Sequence, residues 1–354
     1  MEIQPLKAVR LLLILVVATM APVLLSQSSN PTANPSRTTP PSDIPRTTRS
    51  PRISPANAAS LRLRVLARIR GNAYQIDSTG DSHTATVLPV GVDRGVILID
   101  LETGSESARC TAPYSSYAIS ASGRTVAGAI GPEIQFCDPL SPADLQSLQP
   151  SSVEVTCLRF AKDGALLASG HTDGTVRLWD VAKRALLWTS PPKGSPVAKL
   201  AVPADGKHVA AGYRDSSLKY WTVGGNGVRQ APLASAMSGG YLRMASFIAN
   251  DRKIVLGLKD GTAIWDVTSN DLRRFPQGAD AVSPDDRMAV TVGQYLGLGA
   301  QGYTPLVLWD LATGAEIATV NTARGMLAVS AAFTRDGTAL LASTNAGEVL
   351  LWRP

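Results

Sequence analysis

The sequence predicts an all-β fold, and three observations carry that expectation. A strand ending recurs seven times along the chain, as GVILID (95–100), EIQFCD (133–138), TVRLWD (175–180), SLKYWT (217–222), TAIWD (262–266), LVLWD (306–310) and EVLLW (348–352). The last residues of these segments lie 42 positions apart on average. Before most of them stand a turn and an alternating apolar strand, and Asp-Gly turns, a hairpin signal, recur in four of the seven units, as in VTCLRFAKDGALLASGHTDGTVRLWD from 155 to 180.

Each unit so defined is a four-stranded meander, which has two faces and cannot bury both by itself. Seven such units must therefore stack around an axis, and the expected architecture is a seven-bladed β-propeller of four-stranded antiparallel blades. The last unit stops at its third strand, so the fourth has to come from elsewhere. LRLRVLARIR (61–70) supplies it: Leu61, Leu63, Val65, Ala67 and Ile69 alternate with Arg62, Arg64, Arg68 and Arg70, the two-residue period of an outer strand. The ring is thus expected to be closed by an N-terminal strand whose arginines keep its edge from pairing with other sheets.

From the amino terminus, Lys7 and Arg10 precede LLLILVVATMAPVLL (11–25), an apolar run of export-signal length that is short for a full bilayer span. Residues 1–26 are expected to be a signal peptide or a signal anchor. If the segment stays uncleaved it is a membrane contact, with the bulk of the chain outside. Residues 27–60 are rich in Pro, Ser and Thr and hold no aromatic residue, which predicts a disordered stalk and a protease-resistant core beginning near Ala59. The propeller domain is expected over 61–354.

Charge follows this division. Residues 1–70 carry a net +8 and residues 71–354 a net −2, so the basic pI near 9.3 belongs to the tail. A near-neutral ring lacks the clustered basic face that counterion release requires, and nucleic acid is not an expected partner. Cys110, Cys137 and Cys157 show no CxxC pair or metal-ligand spacing and are expected to be buried thiols.

The segment SGHTDGTVRLWD (169–180) resembles strand b, turn and strand c of a WD-repeat propeller blade. The resemblance runs over roughly 61–354, is strongest at 155–180 and weakest in the first unit. It implies seven blades, with Trp179, Trp221, Trp265, Trp309 and Trp352 as core packing at one repeated slot. Ile99 and Cys137 take that slot in units one and two. The family's Gly-His pair before strand a is missing from every unit, which implies an incomplete His, Ser/Thr, Asp and Trp hydrogen-bond chain. His171 is expected in an exposed turn.

GLGAQG (297–302) matches G-x-G-x-x-G, but the sequence continues into a strand rather than a helix, so a pyrophosphate would have no helix N-terminus to rest on. It is expected to be an enlarged b–c loop. The resemblance implies that b–c and d–a loops share a partner-binding face, where Tyr213, Arg214, Tyr241, Gln294, Tyr295 and Tyr303 are the expected anchors. G-x-S-x-G and H-E-x-x-H motifs are absent, SPPK (190–193) cannot be helical, and Asp163, Asp173, Asp205, Asp260 and Asp336 sit in Gly-containing turns. No catalytic residue, cofactor or metal is expected. The leading expectation is a non-enzymatic scaffold displayed outside the membrane that binds a protein or peptide on its top face. The alternative is an extracytoplasmic propeller enzyme, lactonase-like or quinone-cofactor-dependent, working in the central funnel.

Overall fold

The computed structural model describes residues 50–354, apart from 91–94, 149–151, 162, 204, 216, 226–227, 232–241, 259 and 294–303 and the side chains of 74 and 142–145. It contains seven antiparallel sheets of four strands each. All seven recurrent strand endings are third strands, here called c, from Val96–Asp100 in blade 1 to Glu348–Arg353 in blade 7. Strands a to d of each of the first six blades follow one another in sequence.

Blade 7 is completed by the first strand of the domain. Arg62–Arg68 pairs antiparallel with Glu348–Arg353, from Arg62↔Arg353 to Arg68↔Glu348, as the expected closure. Its alternation is not the uninterrupted one of the sequence. A register shift between Val65 and Ala67 turns Leu66 inward, 8% exposed, and leaves Val65 40% exposed. An inserted residue moves every later side chain to the other face. Leu61 and Leu63 consequently pack on the blade 6 side, and Leu66, Ala67 and Ile69 on the blade 1 side.

The hydrophobic core is distributed in seven clusters, each spanning one pair of neighbouring blades. Between blades 3 and 4, for example, Ala168, Val176 and Leu178 meet Val197, Val209, Ala211 and Trp221. The blades approach closely enough that a Cβ on Gly170 would come within 2.5 Å of Val197 from the next blade. A glycine in strand b is what permits that contact. The five tryptophans of the repeated slot are 0–5% exposed, consistent with packing, and Ile99 is equally buried.

Cysteine chemistry departs from expectation. Cys110, in strand d of blade 1 (Glu106–Cys110), and Cys137, in strand c of blade 2 (Glu133–Asp138), form a disulfide inside the blade 1–2 seam. Cys137 holds the slot where other blades carry Trp, so a covalent bond replaces indole packing across that seam. The sequence spacing of 27 conceals a Cα–Cα distance of 6.1 Å. Only Cys157 remains a thiol.

The boundary of the domain also moves. Ile53 and Ala58, in the stretch assigned to the stalk, are 4% and 0% exposed within the blade 6–7 seam, and Ile53 N donates to Gly337 O at 2.7 Å. Residues 51–60 are an outer strap of the ring, and limited proteolysis with N-terminal sequencing should give a resistant core that retains Ile53.

Deleting residues 61–70 should lower unfolding free energy by on the order of 5 kcal/mol, because a whole strand ladder and two apolar contacts are lost. A urea midpoint equal to that of the parent would refute the closure role. Replacing Cys110 and Cys137 together by alanine should cost about 3–4 kcal/mol for a closed loop of this length. The untreated, denatured chain should show a single titratable thiol.

Candidate functional site

The top face of the ring is formed by the b–c turns and d–a loops, and it is best defined where blades 3 and 4 meet. Strand b of blade 3 (Leu166–His171) leads into a turn in which Asp173 Oδ1 accepts from Thr175 N at 2.8 Å and Thr175 Oγ1 at 2.7 Å. The same self-bonding explains Asp163, Asp205 and Asp336, which accept from the backbone N–H of Ala165, Lys207 and Thr338.

The loop between strand d of blade 3 (Ala185–Thr189) and strand a of blade 4 (Val197–Ala201) folds over that turn. Lys193 N and Gly194 N both donate to Asp173 O. The Lys193 ammonium pairs with Asp215 and lies 4.8 Å from the centre of the Tyr213 ring. Asp215 N donates to Ser195 Oγ, and Arg214 N to Pro196 O at 3.0 Å. Burial works against the Asp215 charge, but hydrogen bonds from Lys193 and Ser217 outweigh it and hold the carboxyl below its usual range. Asp215 is thus a fixed anion joining two blades.

Of the expected anchors, Arg214 is exposed on this face. Tyr213 is not: it is 0% exposed, its hydroxyl donates to Gly174 O at 3.4 Å, and its ring supports Lys193. It is the last residue of strand b (His208–Tyr213), and the pleat directs it into the blade 3–4 seam. Tyr241, Gln294, Tyr295 and Tyr303 lie outside the described residues. GLGAQG also lies outside them, in the connection between strand b (Met288–Val292) and strand c (Pro305–Asp310) of blade 6.

His171 was expected in an exposed turn and is instead fully buried. Trp179 Nε1 donates to Ser169 Oγ at 2.9 Å, Ser169 Oγ lies 3.0 Å from His171 Nε2, and His171 Nδ1 lies 3.2 Å from Val153 O. The Trp, Ser and His chain is therefore present in blade 3, with histidine supplied from the end of strand b rather than from before strand a. The i, i+2 spacing of Ser169 and His171 on one strand face was the available sign. Blade 6 makes a shorter version: Trp309 Nε1 donates to Thr291 Oγ1 at 3.0 Å, and that hydroxyl donates to Gly278 O.

The central channel is lined by the first strand of every blade around a cavity of about 250 Å³. It brings Asp77 and Asp280 together with Arg159, Lys199 and Arg243, a mixed set of charges. Asp280 and Arg243 are paired at 2.9 Å, and burial pushes the Asp280 carboxyl up to about 6 against the pull of that guanidinium. Among the described residues no group of three His, Cys, Asp or Glu side chains could hold a metal ion, and no helix is long and apolar enough to cross a membrane.

Seven blades, five of them with a Trp-bearing third strand, and a hydrogen-bonded Trp, Ser and His chain in blade 3 define a β-propeller of repeat-built type. The sequence model of the WD domain, G-beta repeat (WD40), matches residues 144–180 and 186–222, about a fifth of the chain. Each match ends with strand c of blade 3 or blade 4 and starts in strand d of the blade before. These two repeats, together with the seven four-stranded blades, support a WD-repeat propeller family. It is similar to WD repeat-containing protein 18 of Danio rerio, 51% identical over 35 residues, 10% of this chain and 8% of that protein. It is also similar to WD repeat-containing protein 18 of Rattus norvegicus, 36% identical over 72 residues, 18% of this chain and 16% of that protein. The matched stretch is under a fifth of either relative. WD-repeat proteins are in general non-enzymatic scaffolds that bind protein partners.

Burial holds His171 below its ordinary value of 6.5. The folded state then favours the neutral ring while the unfolded chain takes a proton, so stability is present above pH 6.5 and falls as pH drops below it. His171→Gln should remove this component: urea midpoints of the variant and parent should converge from pH 7 towards pH 5. Parallel curves would show that the ring is not held neutral.

Proposed function

We propose that the chain is a non-enzymatic interaction scaffold held outside the membrane, binding a protein or peptide on its top face. The observation that carries this reading is the join of blades 3 and 4, where backbone hydrogen bonds and the Lys193–Asp215 pair fix three loops and leave Arg214 exposed on a rigid support. Exposed arginine on a preorganised surface is an interface anchor of low ordering cost. Tyr241, Gln294, Tyr295 and Tyr303, which lie outside the described residues, are the further anchors expected from the sequence.

The extracytoplasmic placement is supported by the Cys110–Cys137 disulfide, since structural disulfides persist in oxidising compartments. The apolar run at 11–25 behind two basic residues is the matching export or anchoring segment. Alkylation of intact cells before lysis should leave Cys110 and Cys137 unlabelled, and labelling of both would place the ring in a reducing compartment.

Arg214→Glu, and separately Tyr295→Ala with Tyr303→Ala, should weaken crosslinked partner recovery from intact cells by roughly tenfold or more while the melting temperature stays within about 2 °C. Undiminished recovery with both variants would move the binding face elsewhere on the ring.

A further inference from the structure

We propose that the central channel is a binding site for a small dianion, held between Lys199 and Arg159. Both residues come from innermost strands, Arg159 from strand a of blade 3 (Val155–Phe160) and Lys199 from that of blade 4. Both line the cavity of about 250 Å³ to which all seven blades contribute. Ser116, Ser246 and Ser330 line it as well, adding hydroxyl groups to the wall.

The channel treats its cations unequally. Arg243 is matched by Asp280, 4% and 11% exposed. Among the described residues no salt bridge joins Lys199 or Arg159 to a carboxylate, although Lys199 also acts on Asp280 at longer range. Asp77 is the one other carboxylate in the cavity lining, so the five charged side chains there carry one excess positive charge. Cys157, in the same lining, adds no counter-charge: burial pushes its thiol up to about 11, although Lys199 pulls the other way.

Arg159 is exposed and Lys199 half-buried within the channel, so both heads are accessible, and the surrounding walls concentrate their field. An oxyanion between them would take two parallel hydrogen bonds from the guanidinium and a point charge from the ammonium. The volume is below the roughly 300–1,000 Å³ of pockets for drug-sized ligands, which selects a phosphate-sized or short dicarboxylate ion. Access is provided by a wider cavity of about 550 Å³ that shares Asp77, Arg159 and Ser246 with the inner one. It is lined by residues from the a–b turns, such as Asn250 and Pro284, and so opens opposite the top face. The inference therefore does not rest on the top-face reading.

The test is titration of the purified full chain at about pH 8 with inorganic phosphate and with malonate, against sodium chloride of equal ionic strength, by calorimetry and thermal melting. Saturable binding of at least one dianion is expected, with a rise in melting temperature that chloride does not give. Lys199→Gln and Arg159→Gln should each raise the dissociation constant at least tenfold, with unliganded melting like the parent's. Arg214→Glu should leave it unchanged, which separates this site from the top face. Binding of phosphate but not malonate would define a phosphate site, and the reverse a dicarboxylate site. No stabilisation beyond chloride by either ion, or equal affinity in both channel variants, would overturn the proposal.

Discussion

Every blade of this protein buries its two faces only against its neighbours, and that one constraint organises the rest. The core consists of seven seams rather than one centre. A blade with one neighbour would leave a sheet face wet, and burial of such faces is the main favourable term in folding. The ring has to close, and closure explains why a strand from the start of the domain lies beside one from its end.

The seams share a repeated slot on strand c but fill it in different ways. Trp179 and Trp309 pass their indole N–H to a hydroxyl on strand b, Trp265 passes its own to Asn270, and Cys137 dispenses with the indole and bonds covalently to Cys110. What the fold requires at this position is a firm join to the neighbouring sheet, which indole packing and a cystine both provide, while the indole hydrogen bonds hold the ring in place within its own blade. The repeat therefore tolerates divergence at residues that look definitive in its strongest copies.

The periodic part of this architecture was legible in the sequence because it is local. Strand endings, Asp-Gly turns and the pairing of 61–70 as an outer strand are read from residues close together in sequence, and the strand endings and the closure fell where expected. The parts that were not legible depend on what comes near in space. The disulfide joins residues on different blades, the bulge at Val65–Ala67 is set by the partner strand, and Ile53 and Ala58 are ordered by a seam formed far along the chain. Tyr213 and His171 both end a strand b, where the pleat decides between seam and surface, and composition around a turn does not. Arg214, one residue past such an end, is exposed.

Closure by Arg62–Arg68 also dictates an order of events during synthesis. This strand is among the first parts of the domain to be made, and its partner Glu348–Arg353 is the last. Blades 1 to 6 draw all four strands from consecutive sequence and can assemble as they appear, with the Cys110–Cys137 bond available early because its loop is short. The first strand must wait unpaired throughout. Contacts of such long range are slow to form, and an unpaired strand is an aggregation hazard in the interval. The exposed arginines of that strand keep it soluble while it waits, so a feature of the finished ring's rim serves the unfinished chain first.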